Sequence, residues 1–160
     1  MDGTTIMLIP DDKYVAARPD TKDHHLTVAF FGKASEMTST SVWLLHHVVK
    51  QIHERWRSKP LRGVANGIGL FPAADGAAAV VDLIDGMDLF YVRQQVEALT
   101  EAATSPLEID RTHGFTPHIT RRYIAPDLDQ SLDFKMVDAL HFTFNAVGLW
   151  HGDQRFELTL

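Results

Sequence analysis

Twice in this chain a histidine and a threonine stand two residues apart in surroundings suited to a β-strand. The first segment is His24-His25-Leu26-Thr27-Val28-Ala29-Phe30-Phe31-Gly32 and the second is Phe115-Thr116-Pro117-His118-Ile119-Thr120. In a strand, residues i and i+2 point to the same side, so each segment offers one imidazole and one hydroxyl to a common surface. Two such pairs facing each other make a nearly symmetric acid/base site for a phosphate, with no metal required.

A bare His-x-Thr is cheap. With 9 His and 13 Thr in 160 residues, about one match is expected by chance. A third copy, His141-Phe142-Thr143, lies inside the alternating run from Leu140 to Val147 and reads as part of a C-terminal strand. Context separates the other two: His118 follows Pro117 at the end of a polar loop, and the first motif runs through four apolar residues into Gly32.

The length of 160 residues and a hydrophobic content of 45% fit one globular domain spanning 1–160. No run of 18 apolar residues occurs and the N-terminus lacks the order of a signal peptide, so neither membrane nor export is expected. The absence of cysteine removes disulfides and thiolate chemistry and suits a reducing cytoplasm. A net charge of −6, from 21 acids against 15 bases, argues against a long duplex as partner, because phosphate contacts dominate that affinity. A small anionic ligand or a strand end in a local pocket fits better.

Along the chain, Thr4 to Ile9 reads as a strand, Asp11 to Asp23 as a loop, and His24 to Phe31 as the first motif strand. Spacings of three and four between Val42, Leu45, Val49, Ile52 and Trp56 predict a helix over 38–58, capped by Thr38 or Ser39. Its His46, His47 and His53 lack the geometry of a metalloprotease helix. Leu61 to Leu70 and Ala77 to Ile84 read as strands joined through Asp75-Gly76. The glycines here form no phosphate-binding fingerprint. A second helix runs to about Thr104, capped by Asp85 or Asp88 and stopped by Pro106. A loop with Arg111, His113 and Gly114 leads into the second motif strand, His118 to Ile124, and beyond Pro126 two strands, Leu140 to Trp150 and Arg155 to Leu160, flank a turn at His151-Gly152-Asp153. The order predicts an α+β fold, duplicated and two-lobed, with antiparallel sheets and a helix per lobe.

The segments His25-Leu26-Thr27-Val28-Ala29-Phe30-Phe31-Gly32 and Thr116-Pro117-His118-Ile119-Thr120 resemble the paired His-x-Thr/Ser-apolar motifs of the 2H phosphoesterase superfamily, which includes bacterial RNA 2′-5′ ligase-like proteins and cyclic phosphodiesterases. Arg121 stands where the family usually has an apolar residue. The resemblance implies pseudo-twofold lobes whose motif strands face a central cleft. It implies that His25 and His118 are general base and general acid, and that Thr27 and Thr120 donate to non-bridging phosphate oxygens. Histidine suits the task because its unperturbed pKa near 6.5 lets one ring be neutral and the other protonated.

A phosphate wants a cation nearby, and Arg111, Arg121 and Arg122 are the arginine candidates; strand alternation favours Arg122, on the side of His118 and Thr120. Lys33, at the end of the first motif strand, is a further candidate. Phe30, Tyr123, Phe115 and Trp150 are possible stacking platforms for a base. His24 points away from His25, and a metal site built from His24, His113, His118 and Asp23 matches no known ligand spacing.

The expected activity is cleavage of 2′,3′-cyclic phosphates, 2′-5′ linkages or cyclic oligonucleotides, by a cytoplasmic monomer without metal or cofactor. A compact chain is also compatible with the family's viral members that destroy cyclic-nucleotide immune signals, although no residue selects that branch. The competing readings are a non-catalytic RNA or nucleotide-binding module on the same fold and a metal-dependent hydrolase.

Overall fold

The computed structural model describes residues 2–21, 23–105, 107–125 and 138–160; Pro106 and Pro126, expected as punctuation, lie outside the described residues. The chain forms β1 (Gly3–Pro10), α1 (Asp12–Ala17), β2 (Leu26–Lys33), α2 (Ser39–Trp56), β3 (Leu61–Pro72), β4 (Ala78–Asp85), α3 (Met87–Glu101), β5 (His118–Ile124), β6 (Leu140–His151) and β7 (Gln154–Thr159). Thr38 caps α2 as expected, its hydroxyl accepting from the Ser41 N–H at 3.1 Å.

Two local expectations are corrected. The segment read as a loop after β1 contains α1, because Asp11 caps it by accepting from the Tyr14 N–H at 3.0 Å and the Tyr14 side chain is fully buried. Neither Asp85 nor Asp88 caps α3; Gly86 occupies that position without a side-chain bond. A Cβ there would stand 2.7 Å from the Arg62 carbonyl oxygen, so close backbone approach requires the glycine.

The described strands join in the antiparallel order β1-β2-β5-β4-β3-β6-β7, and β1 pairs also with β6. Two groups are evident within this sheet. One contains β1, β2, β6 and β7, with β1 between β2 and β6; the other contains β3, β4 and β5. The groups meet where the first half of β6 pairs with the start of β3, from Leu61↔Phe144 to Ala65↔Leu140, and where β2 touches β5 through the single pair Leu26↔Ile119. The two motif strands are thus neighbours held by one rung.

That rung is anchored by burial. Leu26 and Ile119 are fully buried, in one cluster with Leu45, Val49 and Ile52 of α2 and Leu89, Val92 and Val96 of α3. Hiding side chains of this size contributes about 1.5–3 kcal/mol each, so both strands must turn this residue toward the helices. No helix among the described residues is long and apolar enough to cross a membrane.

Candidate active site

Because Leu26 and Ile119 both face the core, strand alternation sends the residues on either side of each to the opposite face. Those residues are His25, immediately before β2, Thr27 on it, and His118 and Thr120 on β5, all half-buried. Continuing the register Leu26↔Ile119 sets Thr27 opposite His118 and His25 opposite Thr120. The two histidines are then diagonal neighbours, roughly 7–8 Å apart in a regular ladder. A phosphate fits between groups so placed.

Each imidazole is held the same way. His25 Nδ1 lies 3.1 Å from the Asp23 carbonyl oxygen and His118 Nδ1 lies 2.7 Å from that of Thr116, in both cases two residues upstream. A carbonyl only accepts, so Nδ1 carries the proton and Nε2 is left to act as base, or as acid once protonated. An aromatic ring supports each imidazole: Trp150 at a centroid distance of 4.7 Å for His25, and Phe71 at 4.6 Å, edge-on, for His118. These matched supports arise from different strands, β6 and β3.

Both histidines titrate below the usual range. For His25 burial is the main cause, opposed by the Asp23 carbonyl bond and the Asp23 charge and reinforced by Arg155 and His118. For His118 burial again dominates, opposed by the Thr116 carbonyl bond. Burial disfavours the charged ring.

Beside Thr27 and His118 opens a cavity of about 470 Å³, lined by Phe30, Phe71, Phe115 and Arg93 among others. Arg93, on α3, is buried; its Nη1 donates to the Val28 carbonyl at 2.7 Å, its Nε to Glu97 at 2.8 Å, and its guanidinium lies 5.3 Å from the Phe115 ring centre. Val28 is the extra residue of a bulge between the pairs Ile6↔Ala29 and Met7↔Thr27. Such a residue stands outside the regular ladder, and here its carbonyl goes to Arg93.

The expected cations are distributed differently. The register on β5 slips between Val81↔Thr120 and Val80↔Arg122, so Arg121 and Arg122 together oppose one residue of β4. The bulge breaks the alternation that was to bring Arg122 to the histidine side. Arg122 instead acts on the carboxylate of Asp20, which Arg121 binds at 2.9 and 3.0 Å. Past the bulge Tyr123 pairs with Ala79 and is 69% exposed. Arg111 is drawn to Glu101 at 3.1 Å and Glu97 at 3.7 Å. Lys33 lies at the far end of β2, eight residues from His25, which is about 25 Å of strand; its ammonium is 3.8 Å from Glu36.

The cation at the histidines is one the sequence reading missed. Arg155 of β7 pairs with Trp150 in the ladder, and its guanidinium lies 3.8 Å from the centre of that ring and 3.7 Å from Asp23. Phe71 and Arg93 were missed as well. None of the three is near a motif in sequence; the only signal was that Arg155 and Trp150 flank a hairpin turn.

His24 turns to the other face, its Nε2 3.0 Å from the Arg18 carbonyl and its ring edge-on to Tyr14. It cannot join His118 around a metal. Among the described residues no three His, Asp or Glu side chains are grouped so as to hold a metal ion. On α2, His47 stacks with Trp43, His46 meets Phe156 edge-on and His53 lies beside Glu54. The hydroxyl of the third motif, Thr143, donates to Asp11 at 3.0 Å.

No protein-family model matches this chain, and no curated protein matches it. Solved structures do. The protein TT0787 of Thermus thermophilus is similar over 99% of this chain and 94% of its own, with a TM-score of 0.64 at 15% identity. A protein described as a phosphoesterase follows at 0.59 and 12%, covering 99% and 95%. E. coli LigT complexed with 3′-AMP gives 0.53 and 15%, with the same coverage. At these identities the likeness is one of fold, and it is the α+β fold that the order of the elements predicts.

Proposed function

We propose that this chain is a single-domain phosphodiesterase that cleaves phosphodiesters at ribose, through His25 and His118 as an acid/base pair and Thr27 and Thr120 as donors to the phosphate. The observation that carries the reading is the arrangement of these four side chains on one face of two adjoining strands, with both imidazoles fixed through Nδ1.

On a 2′,3′-cyclic phosphate, the neutral ring accepts at Nε2 a proton from water, whose oxygen bonds to phosphorus. The protonated ring gives its Nε2 proton to the departing ribose oxygen as the P–O bond breaks. Thr27 and Thr120 donate to the non-bridging oxygens as these gain charge, and Arg155 offsets that charge from the His25 side. The same four groups serve a 2′-5′ linkage or a cyclic oligonucleotide. Which histidine is base is not set by a pair held so alike.

A nucleotide is the fitting ligand, as LigT was crystallised with 3′-AMP. The cavity beside His118 supports a seat for its base, with Phe30 and Phe115 as apolar walls. A monomer acting in the cytoplasm completes the reading, and sedimentation and cell fractionation test those two points.

The test is turnover of 2′,3′-cyclic mononucleotides, 2′-5′ oligoadenylate, 3′-5′ RNA and cyclic di- and trinucleotides, with EDTA present, by wild type, His25→Ala and His118→Ala. Cleavage in wild type that both variants lose by about 10²–10⁴-fold is expected. Cleavage abolished by EDTA would refute the metal-free mechanism. No turnover of any substrate, with nucleotide binding unchanged in both variants, would indicate a binding module.

A further inference from the structure

Directly behind the four site groups, on the core side of the sheet, lies a fully buried carboxylate. Asp82 of β4 is in register with Ile119, which is in register with Leu26, so the three form one row across β4, β5 and β2. Among the described residues, this row contains the only pairing of the motif strands. A single rung does not by itself fix the angle between two strands; the β3–β6 seam constrains the two groups at a distance from the histidines, and the contacts of Asp82 act at the rung itself.

The contacts of Asp82 reach both strands. Its Oδ2 accepts from Arg18 Nε at 2.7 Å and from the Tyr14 hydroxyl at 2.8 Å. The same Arg18 offers its carbonyl oxygen to His24, the neighbour of His25. On the other side, Arg121, the neighbour of Thr120, brings Nη1 to 3.8 Å from Asp82 Oδ1 while Nη2 binds Asp20. Burial first, and then the Asp82 charge, raise the Tyr14 hydroxyl's pKa far above its usual value. It therefore stays a donor. Neither Asp82 Oδ1 nor Arg121 Nε has a hydrogen-bond partner among the described residues, so the Arg121 arm is a charge contact and not a bond.

We propose that Asp82 is a positioning residue for the two-histidine site: through Arg18 and His24 it sets His25, and through Arg121 it sets Thr120, across the one rung that joins their strands. It touches no reacting atom. Its effect is geometric, and misplacing a reacting group by 1 Å costs as much as about 10²-fold in rate. The inference rests on the phosphodiesterase reading for its kinetic consequence only.

The experiment compares wild type with Asp82→Asn and Arg121→Met by kinetics on the best cyclic phosphate and by NMR of the imidazole Cε1–H signals, with circular dichroism as the check on folding. In folded Asp82→Asn, kcat is expected to fall about tenfold to a hundredfold with KM nearly unchanged, and the His25 signal to move. Arg121→Met should lower kcat in the same direction by less. A merely structural residue would lower the melting temperature without this split between kcat and KM. Unchanged kcat in folded Asp82→Asn would overturn the proposal. If that variant does not fold, Arg121→Met decides, and its unchanged kcat overturns it equally. A wild type without turnover would instead sink the phosphodiesterase reading; the positioning role of Asp82 then stands or falls on whether the His25 signal moves in Asp82→Asn.

Discussion

Titrating kcat/KM between about pH 4.5 and 9 probes how the two imidazoles are held. In the proposed mechanism the active form carries one proton on the pair, and the expected profile is a bell bounded by the two macroscopic pKa values of the free protein. Burial lowers both histidines below 6.5, and the charge on His118 opposes protonation of His25, so uptake of one proton disfavours the second. The upper edge of the bell therefore lies below about 6.5, and with it the optimum. Above that edge the singly protonated form falls about tenfold per pH unit, so activity at pH 8 is expected to lie well below that at the optimum. Stability follows the same linkage. Both folded-state pKa values are depressed, so unfolding takes up protons as pH drops below 6.5; stability is full above that value and declines as pH falls through the folded pKa values. Activity that stays level to pH 8 and falls only beyond it would refute the claim that burial governs these rings.

The other expectations concern single side chains. Thr27→Ala and Thr120→Ala should each lower kcat by about 10²–10³ with little change in KM, measured on the best cyclic phosphate; a change confined to KM would assign them to ground-state binding. Arg155→Met removes a cation that holds the His25 pKa down. The alkaline limb should then move to higher pH while KM rises, whereas Arg122→Met should change neither. A Cβ at Gly63 would meet Ile84 and Phe142 at 3.0 Å and Phe144 at 3.1 Å. Gly63→Ala should therefore cost about 1–3 kcal/mol, at some 2–4 °C of Tm per kcal/mol for a chain of this size; an unchanged Tm would mean the core yields there.

Much of the architecture was legible because strands and helices announce themselves through local periods. The period of two around Leu26 and Ile119 gave the shared face of His25, Thr27, His118 and Thr120 directly. Alternation failed at Arg122, since a bulge depends on the partner strand and leaves no mark in the sequence. Arg155, Phe71 and Arg93 reach the site from β7, β3 and α3, and only tertiary folding brings them near the motifs. Asp82 was invisible for a different reason. A carboxylate within an apolar run looks like the solvent side of a strand, and its burial is made possible by Arg18 and Tyr14, residues of a segment that reads as a polar loop.

The crossing of strands between the two groups has a consequence for how this chain can be divided. The group carrying His25 combines β1 and β2 from the first half of the sequence with β6 and β7 from the second, and the group carrying His118 combines β3 with β4 and β5. The turn between β3 and β4, where Asp75 adopts a φ of 56° at the surface, is the midpoint of this exchange. A nick there severs the polypeptide into pieces that each hold one histidine of the His25/His118 pair and remain joined through the pairings β1–β6, β2–β5, β3–β4 and β3–β6. Cleavage at that turn would divide the chain without dividing the cleft.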